Sequence, residues 1–567
     1  MTILKWWQTA VFYQIYPRSF ADSIGDGIGD LPGITQKLDM LQDLGIDAIW
    51  LSPHYPSPLF DVGYDVSDYT AVAPEYGTME DFTHFLDSAH QRDLRVILDL
   101  VLNHTSHEHS WFIQSRSSLT NPKRDWYVWR DDKAGGPPNN WNSTFGGPAW
   151  EYDEITGQYY YHFFFKEQPD LNWRNPEVKQ AMFDVVRFWL DLGVDGFRLD
   201  AIETVYEHPD LPDHTARVTQ PELYSISRNI VTPEDRAAWL LNWESMFGNQ
   251  VYQPGIHQLM QELRNVVDEF DDRLLVGETE KLSFYGNGKN ELHLLFNFPL
   301  MRTRRLTAEW VRANQEERLS WMPEEAWPCN TLNNHDTSRV YTQFGDGEND
   351  LAIARLSLAL MLTLRGTPFL YNGEEIGMSD FHLRDISLFR DPFGVWSYNL
   401  ELSLGILPQT ALENAYRFTR DRCRTPYQWE NSTNAGFCLP RVTPWLPVNP
   451  NYNQGANYAD QINDPNSLLN FYRRMLRFRK GVPALIGGDY TSVLPDAKDY
   501  LAFMRHDHHT EQTCLVVLNF SDRSQTLHFN TPAATARVLF SSDRRPKEVD
   551  PLTALKIMPF EVYIAEV

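Results

Sequence analysis

The chain has 567 residues, too many for one compact unit and enough for a large barrel with one or two smaller modules. Lys and Arg number 50 against 76 Asp and Glu, and the formal net charge of −26 argues against nucleic acid or an acidic membrane surface as partner. Hydrophobic residues make up 42%, ample for a core, and the 13% aromatic share goes mostly to core and domain joints, with some left for flat apolar sugar faces.

In chain order, Val11–Pro17 (VFYQIYP) reads as a strand. Ile34, Leu38 and Leu41 at helical spacing follow, ending at Gly45. Ile46–Pro53 is a second strand. Thr78 with Asp81 forms a capping box ahead of a helix carrying Phe82, Phe85, Leu86 and Ala89. Arg95–His104 (RVILDLVLNH) is a third strand. Residues 105–175, rich in Trp, Asn, Pro, Gly and Tyr, are too long for a βα loop and read as an inserted domain. Asn175 and Pro176 then open a helix with Val178, Met182, Val185, Val186 and Trp189 on one face, closing at Gly193.

Five further strands are expected at Gly196–Ile202, Arg273–Thr279, Glu291–Phe298, Cys329–His335 and Thr367–Gly373, most of them separated by helical patterns. Three strands before the insertion and five after it predict an α/β chain built on a (β/α)₈ barrel. A doubly wound sheet is disfavoured, because no G-x-G-x-x-G follows any strand. Residues 374–466 are loop-rich with an aromatic helical patch, and Ser467 starts a last barrel-type helix. From about Val482 short strands without helices predict a C-terminal antiparallel β-sandwich. The expected domains are therefore 1–104 with 176–481, 105–175, and 482–567.

Four widely spaced cysteines (Cys329, Cys423, Cys438, Cys514) offer no C-x-x-C pair and no disulfide framework. The start, MTILKWWQTA, has no apolar run of signal length, and the most apolar stretch, Leu351–Tyr371, is broken by Arg355 and Arg365. A cytoplasmic location is expected.

In a parallel barrel the reactive groups gather where strands end at their C-termini. Strand three leaves Asp99, Asn103 and His104 there. In strand four, period-two alternation puts Arg198 and Asp200 on one face, with Phe197 and Leu199 on the other. A guanidinium so close favours the ionised carboxylate that a nucleophile needs. Strand five ends at Glu278, and strand seven supplies His335, Asp336 and Arg339. Singly, such residues are turn formers or structural ion pairs. Together, three carboxylates and two histidines on four strand ends are the equipment for glycoside hydrolysis: one carboxylate attacks the anomeric carbon and another group protonates the leaving oxygen. Retention requires Asp200 and Glu278 about 5–5.5 Å apart. The histidines lack the H-x-x-x-H or H-E-x-x-H spacing of a convincing metal site.

At these residues the chain resembles glycoside hydrolase family thirteen, the α-amylase superfamily. DLVLNH, GFRLDAIE, GETE and NNHD are similar to that family's four signature segments, in order and on the expected strands. The resemblance implies Asp200 as nucleophile, Glu278 as general acid/base and Asp336 as transition-state stabiliser. It implies His104, Arg198 and His335 as contacts to the non-reducing glucose. QPDLNW (Gln168–Trp173) and DVGYDVSDY (Asp61–Tyr69) resemble the oligo-1,6-glucosidase and α-glucosidase branch. In that branch Asp61 would bind the terminal glucose, Tyr64 would stack under it, and Arg424 of RTPYQW would pair with Asp61 to close the pocket. Phe145 and Phe164 match pocket aromatics.

The resemblance therefore implies a retaining, exo-acting α-glucosidase on short α-glucosides such as maltose or sucrose, as monomer or homodimer. Ala201, following the nucleophile, is the residue that in this branch tends to accompany α-1,4 rather than α-1,6 cleavage. A transglucosylase, a sucrose hydrolase or isomerase, and a trehalose synthase share this catalytic set. The alternative outside enzymes is a catalytically silent carbohydrate-binding or partner protein. No cofactor is expected for catalysis. The loop DSIGDGIGD (Asp22–Asp30) resembles a site for structural calcium or magnesium, with Asp22, Asp26, Asp30 and the Ile28 carbonyl as ligands. Ile24 stands where the family usually has asparagine, and it offers no side-chain oxygen.

Overall fold

The structure, a computed structural model, describes residues 4–228, 233–530, 533–545 and 548–567. Eight parallel strands form the central sheet: β1 (Phe12–Ile15), β2 (Ala48–Leu51), β3 (Arg95–Val101), β7 (Gly196–Asp200), β8 (Leu274–Gly277), β9 (Leu294–Leu295), β10 (Cys329–Thr331) and β11 (Thr367–Tyr371). Their order is β10-β11-β1-β2-β3-β7-β8-β9, a nearly closed (β/α)₈ barrel. Among the described residues no ladder joins the end strands β9 and β10. Asn297, just past β9, instead reaches Asn330 of β10 by its side-chain amide, Nδ2 to Oδ1 at 3.4 Å.

Alternation along each strand sorts the side chains. Phe12, Ala48, Trp50, Ile97, Val276, Leu294 and Phe369 fill the barrel interior, and Phe12 stacks on Phe369 at 4.3 Å between centroids. Tyr13, Ile49, Leu51, Leu98, Phe197 and Leu199 face the helices. Strands buried on both faces explain the near-continuous apolar runs. Gly196 opens β7 at φ 153°, where an added Cβ would lie 2.2 Å from the Leu274 carbonyl oxygen, so β7 and β8 approach this closely only without a side chain.

The expected caps form. The Thr78 hydroxyl accepts from the Asp81 amide at the start of helix Met79–His90, Asn175 caps Pro176–Asp191, and Gly45 ends helix Leu38–Leu44 at φ 100°. The helix expected around Ile34–Leu41 is split into Leu31–Gln36 and Leu38–Leu44 at Lys37. The strand expected at Glu291–Phe298 shortens to two residues, because Phe298–Met301 already turns into a helix with Pro299 in its first turn.

After β3 the chain leaves the barrel and builds a small antiparallel sheet from β4 (Trp129–Arg130), β5 (Trp150–Asp153) and β6 (Gln158–Tyr161). Its aromatics Trp141, Trp150, Tyr161 and Phe163 pack with Met246, Phe247 and Val251 from the long connection after β7.

The C-terminal six-stranded sheet has the order β12-β13-β14-β19-β16-β17, from β12 (Asp489–Val493), β13 (Tyr500–Asp507), β14 (Gln512–Asn519), β16 (Thr535–Ser541), β17 (Val549–Pro551) and β19 (Val562–Glu566). A two-stranded sheet of β15 (Gln525–Leu527) and β18 (Leu555–Ile557) covers one face, meeting Leu515, Val517 and Tyr563. The alternate residues Val516, Leu518 and Ile564 join the barrel's own core. Among the described residues no helix is long and apolar enough to cross a membrane.

Candidate active site

Parallel register brings the polar strand ends together. Asp99 of β3 lies opposite Arg198 of β7, and Arg198 opposite Val276 of β8. Arg198 is fully buried and serves three acids: Nη1 lies 2.6 Å from Asp99 and 2.7 Å from Asp200, and Nη2 lies 2.9 Å from Glu278. Asp200 and Glu278 thus meet one guanidinium from adjacent strand ends. Glu278 Oε2 also accepts the Ala201 amide hydrogen at 2.9 Å. Ala201 adopts the left-handed region at φ 45°, costly for a residue with a Cβ, and this turn aims its N–H at the acid.

Three acids on one cation leave the cluster short of positive charge. Burial pushes the Asp200 carboxyl well above its usual range; Arg198 opposes this, while Glu278 and Asp99 add to it. Arg198 favours the ionised Asp200 carboxylate as its spacing suggests, but shares its charge with Asp99 and Glu278. Burial likewise carries Asp99 up to about 6 against the pull of Arg198. Burial and the shared guanidinium thus act in opposite senses on these coupled acids.

Asp336 has the opposite environment. Burial would raise its carboxyl, but His335, Arg424 and Arg420 outweigh burial and hold it well below the usual range. His335 is itself kept neutral by burial, so the guanidiniums carry this effect. Arg424 Nη2 lies 2.5 Å from Asp336 Oδ1, and its Nε donates to the His335 carbonyl oxygen at 2.8 Å. The Tyr64 hydroxyl joins His335 Nε2, at 2.5 Å, to Asp99 Oδ2, at 3.1 Å, and its ring stacks on the His335 ring. Trp50 Nε1 donates to the same Asp99 oxygen at 3.1 Å.

The pairing expected between Arg424 and Asp61 is not found. Asp61 is bonded by Arg420, four residues earlier, which also grips Asp391 through Nη2 at 2.7 Å. Arg424 is wholly buried and directed at Asp336 instead. In YRFTRDRCRTPYQW, with arginines at 417, 420, 422 and 424, spacing alone cannot say which one reaches back across the mouth. His104 and Asp61 are joined by Gln168, a residue quoted in a motif but assigned no role. Phe164 lies edge-on to His104 at 5.2 Å, and Phe145 packs on Phe164 and under the Arg420 guanidinium. Phe393, unforeseen, closes this aromatic wall against Phe145 at 5.2 Å.

In the Asp22–Asp30 loop the acids are bonded to backbone amides. Asp22 accepts amide hydrogens from Gly25 and Gly27, Asp26 from Ile28, and Asp30 from Ser23 and Gly33. Ile24 is 68% exposed and contributes no oxygen. Among the described residues no three His, Cys, Asp or Glu side chains are grouped to hold a metal. These bonds close the loop's turns and cap the helix that follows.

Residues 14–488 match the family model described as alpha amylase, catalytic domain, and residues 490–564 match that of the maltogenic amylase C-terminal domain. The chain is 38% identical to an oligo-1,6-glucosidase of Parageobacillus thermoglucosidasius, over 99% of each chain. It is 41% identical to a probable alpha-glucosidase of Rhizobium meliloti, over 92% of this chain and 90% of that one. Among solved structures, an isomaltulose synthase of Erwinia rhapontici in complex with its natural substrate sucrose matches with a TM-score of 0.87 and 37% identity, covering 100% of both chains. With its barrel, its C-terminal sheet and its strand-end acids all in place, the chain belongs to the alpha-amylase family of glycoside hydrolases.

Proposed function

We propose that the chain is a retaining, exo-acting α-glucosidase that removes terminal glucose from short α-glucosides, with Asp200 as nucleophile and Glu278 as general acid/base. The observation that carries this reading is the single Arg198 guanidinium in contact with both acids. In the first step Asp200 attacks the anomeric carbon, the glycosidic C–O bond breaks, and Glu278 gives its proton to the departing oxygen. Glu278 Oε2 is engaged by the Ala201 amide and lies against Arg198, which leaves Oε1 to carry that proton. In the second step water attacks the glucosyl–Asp200 ester as Glu278 takes the water's proton, and glucose departs with its configuration retained.

Asp336, held ionised, grips sugar hydroxyls as positive charge develops on the ring. Asp61, Tyr64, His104 and His335 bind the terminal glucose, Arg198 and Arg424 orient the acids, and Phe145 and Phe164 form the wall. The Arg420 pairs to Asp61 and Asp391 close one end, which limits the pocket to a single terminal unit.

Several relatives carry the name oligo-1,6-glucosidase, while the small Ala201 beside the nucleophile favours α-1,4 linkages. A comparison of kcat/KM on maltose and isomaltose decides between them, and we expect maltose to be preferred. Trapping with a fluorinated glucosyl donor followed by peptide mass mapping tests the mechanism. Label on Asp200 is expected, and label elsewhere overturns it. A second reading, transfer of glucose from sucrose to its own fructose, is consistent with the likeness to isomaltulose synthase. Sugar isomers in place of free glucose and fructose from sucrose would support it.

A further inference from the structure

Gln168 is wholly buried between the two groups proposed to hold the terminal glucose. Its Nε2 lies 2.9 Å from His104 Nε2 and 3.2 Å from Asp61 Oδ2, while its Oε1 accepts the Phe165 amide hydrogen at 3.1 Å. Two independent neighbours fix the orientation of this amide. The Phe165 N–H demands an acceptor on one side, and the Asp61 carboxylate demands a donor on the other. Turning the amide over would set oxygen against carboxylate and NH₂ against N–H.

That constraint decides a question His104 leaves open. Its Nε2 faces two groups with opposite demands, the Gln168 amide donor at 2.9 Å and the Tyr64 carbonyl oxygen at 3.2 Å. A proton on Nε2 would satisfy Tyr64 but point towards the Gln168 nitrogen, which has no lone pair to offer. A bare Nε2 accepts from Gln168, the nearer partner. At the other ring nitrogen lies the Asn103 amide, Nδ2 3.3 Å from Nδ1 with Oδ1 unpartnered among the described residues, and a proton on Nδ1 requires this amide turned so that Oδ1 accepts it. Burial keeps the imidazole neutral, lowering it to about 3, so only one nitrogen is protonated.

We propose that Gln168 is a positioning residue for terminal-glucose recognition: it fixes His104 as the Nδ1-protonated tautomer and holds Asp61 in line through the same NH₂ group. This deepens the α-glucosidase reading and rests on it. One amide thereby sets the donor and acceptor pattern of both glucose contacts, and neither can turn without breaking a bond to the other. The Gln168–Trp173 motif then has a physical reason for glutamine at its head: the side chain must accept at one end and donate twice at the other.

The test uses the full-length enzyme with two variants and the α-glucoside that the wild type cleaves best. Gln168→Leu, close in volume, is expected to raise KM about tenfold or more, the scale of losing hydrogen bonds to a buried charged partner, with a smaller change in kcat. Gln168→Glu is the sharper probe. Its protonated carboxyl can donate as the amide does, whereas its ionised form meets Asp61 as a like charge. Its kcat/KM is therefore expected to recover towards low pH and to fall, relative to wild type, as pH rises and the new carboxyl ionises. A residue that served only packing would keep the wild-type KM in Gln168→Leu.

Nitrogen NMR on histidine-labelled protein, with the His104 signals identified by their loss in His104→Asn, reads the tautomer without any turnover. Protonation at Nδ1 in wild type is expected, with mixed tautomers in Gln168→Leu. Wild-type KM in the leucine variant, or a proton on Nε2 in the wild type, overturns the proposal. Absence of glucose release by the wild type from every α-glucoside would instead overturn the α-glucosidase reading, with the NMR result left to judge the tautomer.

Discussion

The acids at the barrel mouth and the acids of the Asp22–Asp30 loop are the same side chains used in opposite ways. At the mouth, carboxylates meet guanidiniums: Arg198 serves Asp99, Asp200 and Glu278, Arg424 serves Asp336, and Arg420 serves Asp61 and Asp391. In the loop, carboxylates meet backbone amides of the next few residues. Local amides fold a turn and leave the acid committed to it. Guanidiniums brought from elsewhere in the chain hold buried charge in a shared cluster, and there protonation can be divided among partners. Density of acids in the sequence is therefore a poor guide to chemistry, and the kind of partner each acid meets is a better one.

The largest effects should fall on the mouth. Asp200→Ala and Glu278→Gln are each expected to lower kcat by at least ~10³-fold, since each removes a covalent or proton-transfer step. Near-normal turnover in either variant would end the assignment. Steady-state rates on maltose suffice to check it, and proton NMR should show α-glucose appearing before mutarotation.

Next comes the corrected pair. Removing one partner of a buried ion pair costs about 3–5 kcal/mol, so Arg420→Met should weaken binding of the terminal glucose at least ~10-fold. Burial raises the Asp61 carboxyl and Arg420 opposes this, so loss of Arg420 lets it rise further. In the proposed role ionised Asp61 grips the sugar, and the acid limb of kcat/KM should accordingly move to higher pH in the variant. A double-mutant cycle with Asp61→Asn is expected to show strong coupling to Arg420 and little to Arg424. The reverse result would restore the pairing read from sequence.

A third, smaller effect concerns a buried acid that belongs to neither group. Glu374 follows β11, and burial pushes its carboxyl up to about 8, opposed by the Tyr371 amide hydrogen it accepts. A carboxyl raised on folding contributes stability that is complete below its unfolded value, about 4.3, and is lost as pH rises through the folded value. The melting temperature should fall as pH climbs from about 4.3 towards 8 and level off above that, and Glu374→Gln should flatten that decline. An unchanged slope in the variant would exclude this group.

The smallest effects are expected in the loop. Asp22→Asn and Asp26→Asn should leave kcat/KM within about twofold of wild type, and a chelator should leave both activity and melting temperature unmoved. Asp30→Ala should cost about 1 kcal/mol through loss of the helix cap at Gly33 N–H. A rise in melting temperature with added calcium would show that the loop rearranges around an ion, and the contrast between the two acid groups would then narrow.

Much of the barrel was legible because its signals are local. Alternation in GFRLDAIE placed Arg198 and Asp200 on one face, and both lie there. Thr78, Asn175 and Ser467 cap the helices their positions suggested. Strand lengths were less legible: Glu291–Phe298 reads as eight apolar-rich residues but yields a two-residue β9, since the barrel is closing there through side-chain amides. The roles of Arg420, Gln168 and Phe393 could not be read, because each depends on a partner far along the chain: Asp61 for Arg420 and Gln168, and Phe145 for Phe393.

By itself the sequence determined the strand–helix alternation, the caps, and which ionisable residues end which strands, since these depend on residues within a few positions of one another. Tertiary structure alone decided which guanidinium answers which carboxylate and which side chains flank His104. Those outcomes turn on Coulomb and hydrogen-bond terms between groups mostly distant along the chain, and such terms acquire their strength only when folding brings the groups within about 3 Å and excludes water.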